Sequence, residues 1–230
     1  SGRQYNLDAE AAHANLISKG WTINGDAATG TSCSKDFITV WQLPVGVTSL
    51  TITTERVGGP VSYTWEQIPS GALGSGSLAV GSGNVIISGL PDGGNIRLIL
   101  KYNNLKRFWI ANAANQDYLE QIENWGKSQW TSMLKAFLDC ENLEITATDI
   151  PDLSALTSLQ QMFEGCSSLD SIPKAYLWNT GTVNNMHSLF KDNSVFNGNI
   201  STWNTGNVTS MFKMFNGATS FNQNIGNWNT

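Results

Sequence analysis

The sequence predicts a mixed α and β fold, an antiparallel β-sandwich followed by a repeat solenoid. Two observations carry this. Residues 33–112 hold short β-branched and aromatic runs separated by Gly, Ser and Pro, the pattern of half-buried antiparallel strands. Beyond them a phrase returns at a fixed distance: Trp178-Asn-Thr-Gly-Thr-Val183 recurs 25 positions later as Trp203-Asn-Thr-Gly-Asn-Val208, and Trp228-Asn-Thr230 opens it again. One such unit buries too little apolar surface to offset its own ordering entropy, so units at a fixed period must cover one another.

The apolar positions keep phase with the phrase. Val183, Met186, Phe190 and Phe196 fall 25 residues before Val208, Met211, Phe215 and Phe221. Leu156, Leu159, Phe163 and Leu169 precede that set by 27, and Trp130, Met133, Phe137 and Leu143 precede it by a further 26. With Trp178 and Trp203, these residues are the expected repeat core. A two-residue insertion between Pro173 and Leu177 accounts for the longer step. Within each unit, a segment such as Val208–Asn216 has the spacing of a brief helix capped by Asn207 or Thr209, followed by an extended stretch from Phe221 to Trp228. In such a stack Asn197 with Asn222, and Asn199 with Asn224, are placed to form hydrogen-bonded ladders.

Upstream, residues 1–32 read as a helix–strand segment, with a helix over Asp8–Lys19 and a short strand at Trp21–Ile23. In the sandwich, strands are expected at Phe37–Leu43, Ser49–Arg56, Val61–Gln67, Asn84–Ser88, Asn95–Tyr102 and Arg107–Ile110. Ser70–Gly83 reads as a Gly/Ser loop and Gln116–Asn124 as a helix leading into the array, which fills 113–230. The chain stops early in a repeat, as a segment cut from a longer array would. Ser1-Gly-Arg-Gln lacks the charged and apolar regions of a signal peptide.

Composition excludes several functions. The charged fraction is 13% and the net charge −5, so nothing supports a basic nucleic-acid face, and no apolar run is long enough to span a bilayer. Two histidines, His13 and His187, lie far apart in sequence, and His187 occupies the place of Phe212 in the next unit. No phosphate loop, zinc-ligand spacing or nucleophile–base pair is present, so no catalytic residue, cofactor or metal is assigned. Glu141, Glu144, Asp149, Asp152, Glu164 and Asp170 read as a solvated acidic rim, because calcium needs six or more converging oxygens. Cys140 and Cys166 occupy equivalent repeat positions and read as buried free thiols, with Cys33 unpaired. Trp41, Trp65 and Trp109, outside the repeat phase, are the candidates for facing a ligand, as a sugar-stacking sandwich requires.

The phrases Trp203-Asn-Thr-Gly-Asn-Val-Thr-Ser-Met211 and Met214-Phe-Asn-Gly-Ala-Thr-Ser-Phe-Asn-Gln-Asn-Ile225 resemble the 25-to-26-residue repeat of BspA-like bacterial surface proteins, relatives of leucine-rich-repeat proteins. Asn15–Asp26, Phe37-Ile-Thr-Val-Trp41 and Gln121–Met133 are similar to other parts of such proteins. The resemblance implies an Ig-like or PKD-like sandwich, a leucine-rich-repeat-like solenoid, and a secreted, extracellular place on the bacterial cell surface. It implies a non-catalytic adhesion or protein-binding scaffold whose partner is a host or neighbouring-cell surface protein; a glycan held by sandwich aromatics is the alternative. In the array, function is expected where units differ, as at Lys191-Asp192-Asn193 against Asn216-Gly217-Ala218.

Overall fold

The computed structural model describes residues 34–69, 71–110 and 113–229. The expected helix at Asp8–Lys19, the strand at Trp21–Ile23, His13 and Cys33 lie outside the described residues. The described residues from Lys35 onward belong to one compact unit.

The expected mixed α and β class is corrected. The described residues are nearly all β, in two sheets, and no leucine-rich-repeat-like solenoid of strands and helices forms. Nine strands occur among the described residues: β1 (Phe37–Leu43), β2 (Ser49–Arg56), β3 (Val61–Ile68), β4 (Leu73–Leu78), β5 (Gly81–Ser88), β6 (Gly94–Leu100), β7 (Leu105–Trp109), β8 (Leu119–Asn124) and β9 (Glu144–Ile145). One sheet has the order β4-β3-β6-β1-β8-β9 and the other β5-β2-β7. All pairings are antiparallel except β8 with β9. The only helical pieces among the described residues are α1 (Ala113–Gln116) and a 3-10 turn at Ala175–Leu177.

Two strands replace other expectations, each for a visible reason. β4 falls in the expected Gly/Ser loop. Gly74 lies opposite Trp65 and Gly76 opposite Tyr63, and a Cβ on Gly74 would come within 2.3 Å of the Trp65 ring. The aromatic rings of β3 thus occupy the space that β4 side chains would fill, which is why a Gly/Ser run can serve as a strand. β8 falls in the expected helix at Gln116–Asn124. Its apolar residues Leu119 and Ile122 are three apart, as on a helix, yet both are buried. The pairing with β1 shifts register between Val40 and Trp41, and that bulge returns both side chains to the core.

The repeat residues form turns that stack as hydrogen-bonded coils. The brief helix expected over Val208–Asn216 is absent, because two residues per unit adopt left-handed backbone conformations four positions apart. These are Lys135 and Asp139, Gln161 and Gly165, Ser188 and Asp192, and Lys213 and Gly217, with φ between 53° and 80°. A left-handed residue ends a right-handed helix after one turn. It also aims alternate N–H groups along the stack. The N–H groups of Met186, Ser188, Phe190 and Asp192 donate to the carbonyls of Ser210, Phe212, Met214 and Asn216 at 2.7–3.0 Å. Those of Leu159, Gln161, Phe163 and Gly165 donate in the same way to Asn185, His187, Leu189 and Lys191. Every such bond points from one coil to the next in sequence.

Side chains reinforce the stack, and the repeated phrase becomes legible residue by residue. The Trp203 indole donates to Ala175 O at 2.8 Å. Asn204 Oδ1 accepts from the Gly206 N–H at 3.0 Å, closing the local turn. The Thr205 hydroxyl donates to Asn229 O at 3.1 Å in the following coil. Asn207 and Thr209, expected as helix caps, instead donate to carbonyls of the preceding coil, Gly181 O and Asn184 O. The expected asparagine ladder forms at one column: Asn197 Oδ1 accepts from Asn222 N–H and from Gln223 Nε2. Asn199 and Asn224 each accept from an N–H two residues ahead.

A single apolar core runs from the sheets into the coils. Phe108 of β7 lies 6.0 Å from Phe137, which begins a column of stacked rings through Phe163, Phe190 and Phe215 at 5.7–6.0 Å. Trp178, Trp203 and Trp228 form a second column. Trp130, Met133, Leu143, Leu156, Leu159, Leu169, Val183, Met186 and Phe196 are buried. Val208, Met211, Phe215 and Phe221, in the last coil, are only partly covered.

Candidate binding surface

Of the three tryptophans expected to face a ligand, the structure removes two. Trp41 is 0% exposed, with its indole donating to Thr39 Oγ1 at 2.8 Å. Trp65 is 6% exposed and lies against Gly74. Both share the inward face of their strand with other buried residues, Trp41 with Phe37 and Trp65 with Val61. Trp109 is half-buried, with the Arg107 guanidinium 4.0 Å above its ring. No aromatic platform for a sugar therefore forms from these three. A shallow depression of ≈ 440 Å³ lies beside Thr64, Glu66, Leu73, Ser75 and Ile99, and its one carboxylate, Glu66, is paired with Arg97.

The acidic residues are dispersed among structural roles. Glu164 and Asp192 both bind Lys191 Nζ, at 2.7 and 2.8 Å, and these bonds, Asp192's foremost, raise the lysine's pKa. Asp152 accepts from the Ser154 N–H. Asp149 accepts from the N–H groups of Trp125 and Gly126 at 2.9 and 2.8 Å. Among the described residues no group of three or more His, Cys, Asp or Glu side chains is placed to hold a metal.

Burial pushes the Asp149 carboxyl above its ordinary pKa, against the two backbone donors that lower it. A carboxyl raised in the folded state contributes stability that is present below its unfolded value and lost as pH rises through the folded value. Wild type should therefore exceed Asp149→Asn in stability by more at pH 4 than at pH 7. Chemical denaturation of both at the two pH values checks this.

Cys140 and Cys166 are buried free thiols in adjacent coils, both with pKa values raised, burial being the chief cause. Neither is expected to react with a thiol reagent in the native protein, and both should react on unfolding. A titration before and after denaturant checks this.

What the coils expose is a ridge. Two columns line it, Leu134, Gln160, His187 and Phe212 in one, and Leu138, Glu164, Lys191 and Asn216 in the other; all eight are partly or fully exposed. Their chemistry changes from coil to coil, while the columns beside them, Ala136/Met162/Leu189/Met214 and the phenylalanines, stay apolar and mostly buried. His187 packs on Phe212 at 5.3 Å, and Phe212 is 61% exposed. Of the expected variable positions, Lys191 belongs to this ridge, whereas Asn193 is buried. One stretch of two units, Lys191-Asp192-Asn193 against Asn216-Gly217-Ala218, shows only a part of the ridge. Comparing all four at positions 134 and 138 and their equivalents would have found it.

A family model described as "Mycoplasma protein of unknown function, DUF285" matches residues 106–172 and 131–230, together more than half of the chain. No curated protein and no solved structure matches the chain significantly. No helix among the described residues is long and apolar enough to cross a membrane.

Proposed function

The chain belongs to the family described as Mycoplasma proteins of unknown function, DUF285, and we propose that it is a non-catalytic scaffold that binds a partner protein at the bacterial cell surface. The observation that carries this reading is the ridge. Interior columns repeat while two surface columns vary, which separates a constant framework from a surface free to be specific. The ridge offers an exposed aromatic, Phe212, beside a histidine, a lysine–glutamate pair and amides. An aromatic anchor with a mixed polar surround is the composition of a protein-binding patch. The resemblance of the repeats to BspA-like surface proteins favours adhesion and an extracellular place. The burial of Trp41 and Trp65 weighs against a glycan as the partner.

The purified chain, set beside a matrix-protein panel and a glycan array, tests the reading. Binding to a protein, reduced about tenfold or more by Phe212→Ala with an unchanged melting curve, is the expected result. Binding to glycans alone, or protein binding insensitive to Phe212 and His187, would overturn it. Protease treatment of intact cells checks the location.

A further inference from the structure

The six-stranded sheet ends at β4, and among the described residues no strand pairs with its far side. Gln67 N–H donates to Ala72 O at 2.8 Å, which fixes the alternation of the ladder between β3 and β4. Gly74, Gly76 and Leu78 therefore turn their backbone groups towards β3, while Leu73, Ser75 and Ser77 turn theirs to the open edge. The side chains of those three residues are exposed as well.

Edge strands are ordinarily blunted by a charge, a proline, a bulge or a distorted backbone. β4 has none of these. Its pairing with β3 runs from Val61 and Leu78 to Glu66 and Leu73 without a register shift, and neither of its glycines has a positive φ. β5, at the edge of the other sheet, is by contrast distorted at Gly81 and Gly83, with φ of 136° and 132°. Residues 67–91, which include both strands, carry no Asp, Glu, Lys or Arg. The flanking Glu66, opposite Leu73, is held by Arg97.

This lack of charge decides what the edge can take. An edge that recognises a different chain gains specificity from opposite charges across the interface. At a two-fold interface each residue near the axis meets its own copy, so a charge there meets a like charge. For a chain of net charge −5, a neutral edge is what the approach of a second copy requires.

We propose that β4 pairs antiparallel with β4 of a second copy about a two-fold axis at Ser75, joining two six-stranded sheets into one. In this register Ser75 faces its own copy and Leu73 faces Ser77 of the partner subunit. It is the register in which all three outward N–H groups of each copy meet carbonyls of the other while inward residues stay inward. On the inner face Gly74 comes opposite Gly76 of the partner subunit. Trp65 lies over Gly74 and Tyr63 over Gly76, so a ring from each copy roofs the paired glycines. The pairing is separate from the ridge and does not depend on the ridge binding a partner.

Sedimentation equilibrium of the full chain tests this, with Ser75→Lys and Ser75→Glu as variants. Ser75 is exposed, so both variants should fold, as a melting curve checks. Wild type should pass from monomer to dimer as concentration rises, and each variant alone should dimerise about tenfold less tightly or worse. An equimolar mixture of the two variants should restore the dimer, because opposite charges then meet on the axis. In wild type, hydrogen exchange at the amides of Leu73, Ser75 and Ser77 should slow as the dimer forms. A chain still monomeric at about 1 mM would overturn the proposal. So would a dimer that both variants keep, a mixture that fails to recover it, or a wild-type dimer in which those three amides stay fast.

Discussion

Phe190→Ala should lower the free energy of unfolding by about 3–5 kcal/mol. Phe190 is fully buried and touches four rings, with Phe196 at 4.0 Å, Phe163 at 5.9 Å, Phe215 at 6.0 Å and Trp203 at 6.1 Å. Removing it interrupts the phenylalanine column in its middle. The neighbours cannot close the gap, because their coils are held in register by the backbone bonds of Phe190 to Met214 and of Phe163 to Leu189. The loss therefore includes a cavity as well as a ring. Phe221→Ala, at the partly covered end, should cost clearly less. Equilibrium denaturation of the two variants checks both the size and the order.

Gly126→Ala should destabilise the protein by about 3–5 kcal/mol, from a backbone conformation that a side chain resists and a clash that cannot relax. Gly126 has φ 72°, and a Cβ there would lie 2.5 Å from Lys35 O and 2.6 Å from Asp36 C. These are backbone atoms just before β1, so no rotamer change relieves the contact. The site is a clamp. Lys127 N–H donates to Lys35 O at 2.7 Å, and the Asp149 carboxylate accepts from the successive N–H groups of Trp125 and Gly126. Gly46→Ala, at φ 89° with nothing within 4 Å of the added carbon, isolates the conformational part of the cost. Comparable losses at the two sites would refute the clash.

The phase of the repeats was legible because it is enforced by contact: a side chain at one position stacks on its own counterpart, so Phe137, Phe163, Phe190 and Phe215 announce their column by spacing alone. The strands β1, β2, β3, β6 and β7 were legible from β-branched and aromatic runs. The backbone of the coils was not. A left-handed residue is signalled by glycine at Gly165 and Gly217, but Lys135, Gln161, Ser188 and Lys213 carry no such mark, and without them the apolar spacing reads as helix. β4 and β8 were hidden for opposite reasons. In β4 the side chains that fill the strand belong to its neighbour, and in β8 a bulge converts a three-residue spacing into one face. Trp41 and Trp65 lie outside the repeat phase yet inside the core, because the sheets bury an inward face of their own that no repeat period marks.

The second left-handed position of each coil reads Asp139, Gly165, Asp192, Gly217. The aspartate of one coil leans over the glycine of the next: a Cβ on Gly165 would meet Asp139 Oδ1 at 2.3 Å, and one on Gly217 would meet Asp192 Oδ1 at 2.6 Å. A coil bearing aspartate must therefore be followed by one bearing glycine. Excising the Gly165 coil alone would seat Asp139 beneath Asp192, two carboxylates in the space of one. Loss of a glycine coil from between two aspartate coils is thus disfavoured, whereas loss of an aspartate coil sets glycine on glycine and meets no such clash.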